Sequence, residues 1–235
     1  PVLQMLYWTI SFPKHLADLN LIKLFSNTIL LVFLSSILLI SFSFISNYGN
    51  RVTRSKLLSL LTTFSVSGYA IPGIILAVAF ISFISWFDNN VISFFGLKTI
   101  KSIFIGSVLG LILVYFIRFY SLASNGLKSG YLKINYSIDE SAYLLGYSKF
   151  KTFTNIHIPY LKNSMLLIGI LITIEIIKEL PITLIMRPFN FETFATTAYI
   201  FASQDLLEAA AAPSLFLIII ASFFILITSK YILKD

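Results

Sequence analysis

Charged residues are absent from Leu24 to Asn50 and again from Leu57 to Phe87. Further uncharged runs cover Ser102 to Ile117 and Ala209 to Ser229, while Asn163 to Met186 is apolar but interrupted by Glu175, Lys178 and Glu179. A membrane helix needs about 20 mostly apolar residues to cross roughly 30 Å of hydrocarbon. The pattern therefore predicts five spans, at 23–46, 64–86, 101–122, 163–186 and 212–231. Pro1 to Phe12 is apolar but too short to cross, and reads as the tail of a preceding helix, followed by an outer loop to residue 22. With no initiator Met at position 1, the chain reads as part of a longer polypeptide.

Composition sharpens this picture. Hydrophobic residues make up 57% of the 235 and charged residues 11%, against about 25% charged in a soluble domain. Mean hydropathy is +0.90. Soluble enzymes, disordered tails and fibrous proteins are excluded. There is no cysteine, hence no thiol nucleophile and no cysteine metal cage.

The net charge of +7 is distributed as a topology signal. Arg51, Arg54, Lys56, Arg118, Lys128, Lys133, Lys149, Lys151, Lys162, Lys230 and Lys234 fall in one alternating set of connections, making 11 of the 17 basic residues. Lys14, Lys23, Lys98, Lys101 and Arg187 fall in the other. The positive-inside rule makes the first set cytoplasmic, with the N-terminus out and the C-terminus in. The charge then marks orientation and contact with lipid, and nucleic acid is not a partner.

The longest inner connection, Tyr120 to Leu161, carries a helix-turn-helix pattern. Ser137 and Glu140 have capping-box spacing, Gly146 suits a left-handed helix end, and Pro159 predicts a break after a second short helix from Ser148 to His157. From the residues alone, two uses stand open: a knob that docks something in the cytoplasm, or an interfacial helix on anionic lipid. His157 reads as a spectator between its neighbours.

Glu140-Ser141-Ala142, Gly146, Ile156 and Ile158-Pro159 resemble, in order and spacing, the EAA loop of the permeases of ABC importers. The resemblance implies an all-α polytopic membrane protein with the type I ABC importer permease fold, in which residues 137–159 form the coupling loop on an ATP-binding subunit. Glu140 would then be the polar contact, Ser141 and Ala142 small packing positions, Gly146 the turn, and Ile156 and Pro159 anchors of the second helix.

An ionisable residue in mid-membrane costs roughly 2.5–3.5 kcal/mol on insertion scales, so Glu175, Lys178 and Glu179 in one span need a reason. Glu175 and Glu179, four apart, are expected on one helix face, and Lys178 pairs with Glu175 at three apart. One reading is an ion pair that neutralises itself, and the other a carboxylate-lined translocation path, with Pro181 ending the helix beyond. Pro72 and Gly73 interrupt the second span, either as a packing kink or as part of a gate.

Lys178-Glu179-Leu180-Pro181 and Met186 through Thr193 (MRPFNFET) resemble the corresponding segments of ferric-iron ABC permeases, and Pro1 to Trp8 resembles the junction before the second half of their fused chains. This implies the C-terminal half of a two-half permease in the bacterial inner membrane. Its partners would be a dimer of ATP-binding subunits, a second permease half read as the missing N-terminal half, and a periplasmic ferric-iron-binding protein docking near Arg187, Asn190 and Glu192. Glu175 and Glu179 would ligate the metal transiently. No phosphate-binding G-x4-G-K-[ST] loop occurs, so the chain binds no cofactor of its own and ATP and Mg belong to the partner. The function implied is non-catalytic: import of ferric iron by alternating access. The alternatives are an ABC permease for thiamine, a polyamine, sulfate or another anion, and a secondary cation transporter or channel.

Overall fold

A computed structural model of the protein describes residues 1–53, 55–94 and 103–232. Arg54, Lys98, Lys101 and Lys234, used above for orientation, lie outside the described residues. The helices are α1 (Val2–Ser11), α2 (Pro13–Ala17), α3 (Leu21–Thr53), α4 (Lys56–Val66), α5 (Gly73–Phe94), α6 (Val108–Tyr131), α7 (Tyr136–Leu144), α8 (Lys149–Thr152), α9 (Ile158–Ile177), α10 (Pro181–Met186), α11 (Phe194–Ser203) and α12 (Leu207–Ile232). Among the described residues, five helical stretches are long and apolar enough to cross a membrane.

The span boundaries shift for identifiable reasons. At 1.5 Å per residue the 33 residues of α3 reach about 50 Å, so the helix outruns the hydrocarbon and carries Arg51 in its last turn. The expected span 64–86 is not one helix. α4 ends at Val66, a 3₁₀ turn covers Ser67–Ala70, Ile71 is extended, and α5 starts after Pro72, which has no N–H to continue the ladder. The third span starts later than expected, at Val108, because Gly106 is left-handed (φ +65°) and the Ser107 hydroxyl accepts the Gly110 N–H at 3.1 Å as a cap. The fourth span stops at Ile177, before Pro181, which opens the separate α10. The fifth starts at Leu207, so Pro213 sits inside it.

The chain divides into two compact units. One comprises Pro1–Ser35, Pro72–Tyr115 and Thr173–Asp235. In it α1, α2 and α11 pack on α12, and α10 packs on α5. The small buried side chains of Ala209 to Ala212 leave room for that approach, and the Phe194 and Phe216 rings stack at 5.6 Å. Asp88, 2% exposed, is satisfied by the backbone: its Oδ2 accepts from Ile103, Phe104 and Ile105 N–H at 3.0 to 3.2 Å.

The other unit comprises Ser36–Ile71 and Phe116–Ile172. Its core includes Leu39, Phe119, Ala123, Leu127, Leu161 and Ile172. Outside these cores, Phe33, Ile37, Phe83, Trp86, Phe223 and Leu226 are exposed, as a lipid-facing surface requires and a water-facing one would penalise.

Candidate functional site

The knob between α6 and α9 is built by local chemistry. Asn135 caps α7, its side-chain oxygen accepting from Ser137 N–H. The capping box expected from Ser137 and Glu140 does not form, because the helix begins earlier, at Tyr136. At the other end Tyr147 N–H bonds Ala142 O and Gly146 N–H bonds Tyr143 O, both at 3.0 Å, a Schellman closure that requires a left-handed residue. Gly146 supplies it with φ +81°. Ser148 then caps α8 through Lys151 N–H at 3.2 Å.

Pro159 does not break the chain as expected. A π-helical turn over Phe153–His157 precedes it, and Ile158 N–H reaches back to Phe153 O. This widened turn passes the helix over the residue that lacks a donor, and the path from Lys149 to Ile177 stays helical. Pro159 is exposed.

Ser141, Ala142 and Ile156 are brought together, lining one shallow groove with Ser137, Leu145 and Asn155. Glu140 lies outside that groove and is exposed, as are Leu144, Leu145 and Phe150. The knob thus presents an acid beside bare apolar side chains, a composition suited to contact with a protein or a membrane surface.

Asp139 and His157, the latter expected to be a spectator, are the buried pair of this loop. Asp139 Oδ2 accepts from Arg51 Nε at 2.7 Å and Oδ1 pairs with His157 Nε2 at 2.6 Å. His157 is fully buried, with ring contacts to Tyr48 and Tyr131. It is a core residue of the knob and not a spectator. The apolar Ile-His-Ile-Pro setting was the one available signal. Arg118, counted only as a topology charge, donates from Nη1 to Ile71 O at 2.9 Å, serving a carbonyl at the helix break where Pro72 leaves the ladder open.

In the first unit, Glu175 does pair with Lys178, at 2.7 Å, with Lys178 more than half exposed. Glu175 and Glu179 do not share a helix face, because α9 has ended at Ile177. Glu179 is buried, and its Oε1 accepts Ile182 N–H at 3.2 Å in the first turn of α10, where Pro181 is the first residue. Glu179 and Thr183 line one small void with Tyr115, Thr28 and Thr193. Among the described residues no group of three or more His, Cys, Asp or Glu side chains is placed to hold a metal ion.

Arg187 and Glu192 form an ion pair across a tight turn, in which Asn190 is left-handed (φ 59°) and Arg187 also donates to Phe191 O. Thr196 donates to Glu192 Oε2 at 2.9 Å and Asn27 to Glu192 O at 2.8 Å. Arg187 and Glu192 are therefore engaged with their own chain. Phe189, 94% exposed, is the projecting side chain of this turn.

Comparison with known proteins gives a fold. No family model matches the chain. It is similar to the Fe(3+)-transport system permease protein FbpB 2 of Haemophilus influenzae, at 20% identity over 237 residues, covering all of this chain and 44% of that protein. The chain thus spans less than half the length of the curated relative it matches. Among solved structures it superposes on a bacterial ABC transporter involved in the import of the acidic polysaccharide alginate, with TM-score 0.76 at 17% identity, covering 97% of this chain and 87% of that one. A second structure, the bacterial alginate transporter in complex with an alginate pentasaccharide-bound periplasmic protein, gives TM-score 0.77 at 16% identity, with 97% and 85% coverage. The chain has the fold of the permeases of binding-protein-dependent ABC importers. The five apolar helices among the described residues fit a multi-pass membrane protein of that fold.

Proposed function

We propose that this chain is one half, the C-terminal one, of the membrane permease of an ATP-driven importer that carries ferric iron into the cytoplasm by alternating access. The observation that carries the reading is the knob: a Schellman-closed, EAA-spaced loop exposing Glu140, Leu144, Leu145 and Phe150 on a chain with the importer-permease fold. ATP binding and hydrolysis, with Mg, belong to a dimer of partner subunits seated on the knob. Their closure moves it, and the packed spans follow. The chain itself catalyses nothing. A second permease half completes the path, and a periplasmic ferric-iron-binding protein delivers the cargo at the Arg187–Glu192 turn.

Iron as cargo rests on the KELP and RPFNF resemblance and on the iron-permease relative. Fe³⁺ is a hard cation that favours oxygen ligands. Glu175, only partly buried beside an exposed Lys178, is the more accessible of the two carboxylates. Glu179, whose carboxylate accepts from Ile182 N–H, would be the second oxygen donor. With so few ligands the metal would be passed along and not stored. The second reading, a permease for a different cargo, draws on the alginate importers that share the fold.

The experiment is capture of a purified ATP-binding subunit by tagged full-length permease in detergent. Retention by the wild type and loss with Leu144→Asp or Glu140→Lys are expected. Equal retention by all of them would remove the knob from the interface.

A further inference from the structure

A push delivered to an exposed knob moves the membrane spans only if the knob is fastened to them. Helices α7 and α8 have 9 and 4 residues and cannot supply that stiffness alone. Resting on the importer reading above, the geometry points to Asp139 as the positioning residue that fastens the knob to the cytoplasmic end of α3, so that the two move as one body.

One carboxylate joins three segments. Asp139 sits on α7, 7% exposed, directly before the exposed Glu140. Its Oδ2 holds Arg51 of α3 at 2.7 Å, and its Oδ1 holds His157, in the π-helical turn that leads into α9, at 2.6 Å. Arg51 uses its other donors on the same joint: Nη2 bonds Asn135 O, the residue that caps α7, at 2.9 Å. Its guanidinium lies 4.2 Å from the Tyr136 ring centroid. His157 is wedged between Tyr48 of α3 and Tyr131 of α6, at 5.0 and 5.5 Å between ring centroids.

A buried ion pair is weak evidence of stability, since apolar residues of equal volume often serve as well. What it supplies is direction. The Arg51 fork and the His157 ring each fix the carboxylate from a different side, so α7 cannot roll on α3 without breaking a charged hydrogen bond. The neighbours divide the work: Glu140 faces outward to the partner, and Asp139 faces inward to the spans.

The test uses full-length permease with its ATP-binding subunits, in nanodiscs for distances and in proteoliposomes for uptake of radiolabelled iron per ATP hydrolysed. The chain has no cysteine of its own, so spin labels at Thr53→Cys and at the exposed Lys149→Cys on α8 report the distance from the end of α3 to the knob. Wild type should give one narrow distribution, unchanged by ATP. Asp139→Asn should broaden it and lower transport per ATP hydrolysed roughly tenfold while ATP turnover stays within about twofold. Asp139→Glu should recover most of the coupling. If Asp139→Asn does not accumulate, His157→Asn removes one arm only and should broaden the distribution in the same sense. A variant that loses thermal stability but keeps the narrow distance and wild-type transport per ATP would reduce Asp139 to a packing role. If wild type itself neither binds nor turns over ATP with the partner, the importer reading fails, while the distances in the permease alone still decide whether Asp139 fixes the knob.

Discussion

A Cβ placed on Gly68 would stand 2.3 Å from the carbonyl oxygen of Ile117. The helix break after α4 and the middle of α6 touch backbone to backbone at this point, and only glycine permits it. Gly68→Ala must push a main-chain carbonyl, not a flexible side chain. The expected outcome is a cost of roughly 1–3 kcal/mol, in the range of core overpacking. It is read as a lowered unfolding midpoint and reduced yield in detergent.

Gly146 makes the opposite case. Nothing lies within 4 Å of a Cβ there, but φ is +81°, so substitution strains the backbone by about 1–2 kcal/mol and meets no neighbour. Gly146→Val should leave membrane abundance near wild type while uncoupling transport from ATP hydrolysis. The measurement is uptake and ATP turnover on one preparation, which should diverge in Gly146→Val and fall together in Gly68→Ala.

The ion pair of Glu175 and Lys178 allows the path reading to be separated from simple neutralisation. Lys178 is more than half exposed, and replacing both partners of an ion pair by uncharged groups is often neutral or stabilising. Glu175→Gln with Lys178→Met should therefore fold normally. If Glu175 meets the cargo, iron uptake per permease should fall in Glu175→Gln and not return in the double variant. Full uptake by the double variant would leave Glu175 as a structural charge. Glu179→Ala should instead destabilise, by about 1–3 kcal/mol, because Ile182 N–H loses a buried acceptor.

Orientation is testable with the same cysteine-free chain. Single cysteines at Asn50, Tyr147 and Ser203 should split: the first two protected from an impermeant thiol reagent added outside, Ser203 labelled. Labelling of Tyr147→Cys from outside would reverse the scheme.

The five long apolar helices found among the described residues were legible because bilayer thickness dictates run length, and that is written directly in Leu24–Asn50 and Ala209–Ser229. Their ends were not, because caps and breaks decided them: Ser107 delayed one helix, and Pro72 and Pro181 split others. The Gly146 turn was legible from glycine's access to positive φ. Pro159 misled, since a π-helical turn five residues long absorbed it. Asp139, Arg51 and His157 were invisible as a set, being 88 and 18 residues apart, and only tertiary packing joins them. Glu175 and Glu179 looked paired by helical periodicity, which no longer applies once the helix stops at Ile177.

The most direct test of the account is transport itself. Full-length permease and the ATP-binding subunits are reconstituted in proteoliposomes, with the ferric-iron-binding protein and radiolabelled iron on the face opposite the ATP. The account predicts iron accumulation that requires Mg and ATP, stops with a hydrolysis-deficient partner subunit, and is lost with Gly146→Val. Iron movement that proceeds without ATP, or that a proton or sodium gradient alone can drive, would contradict it and make the chain a secondary transporter or channel.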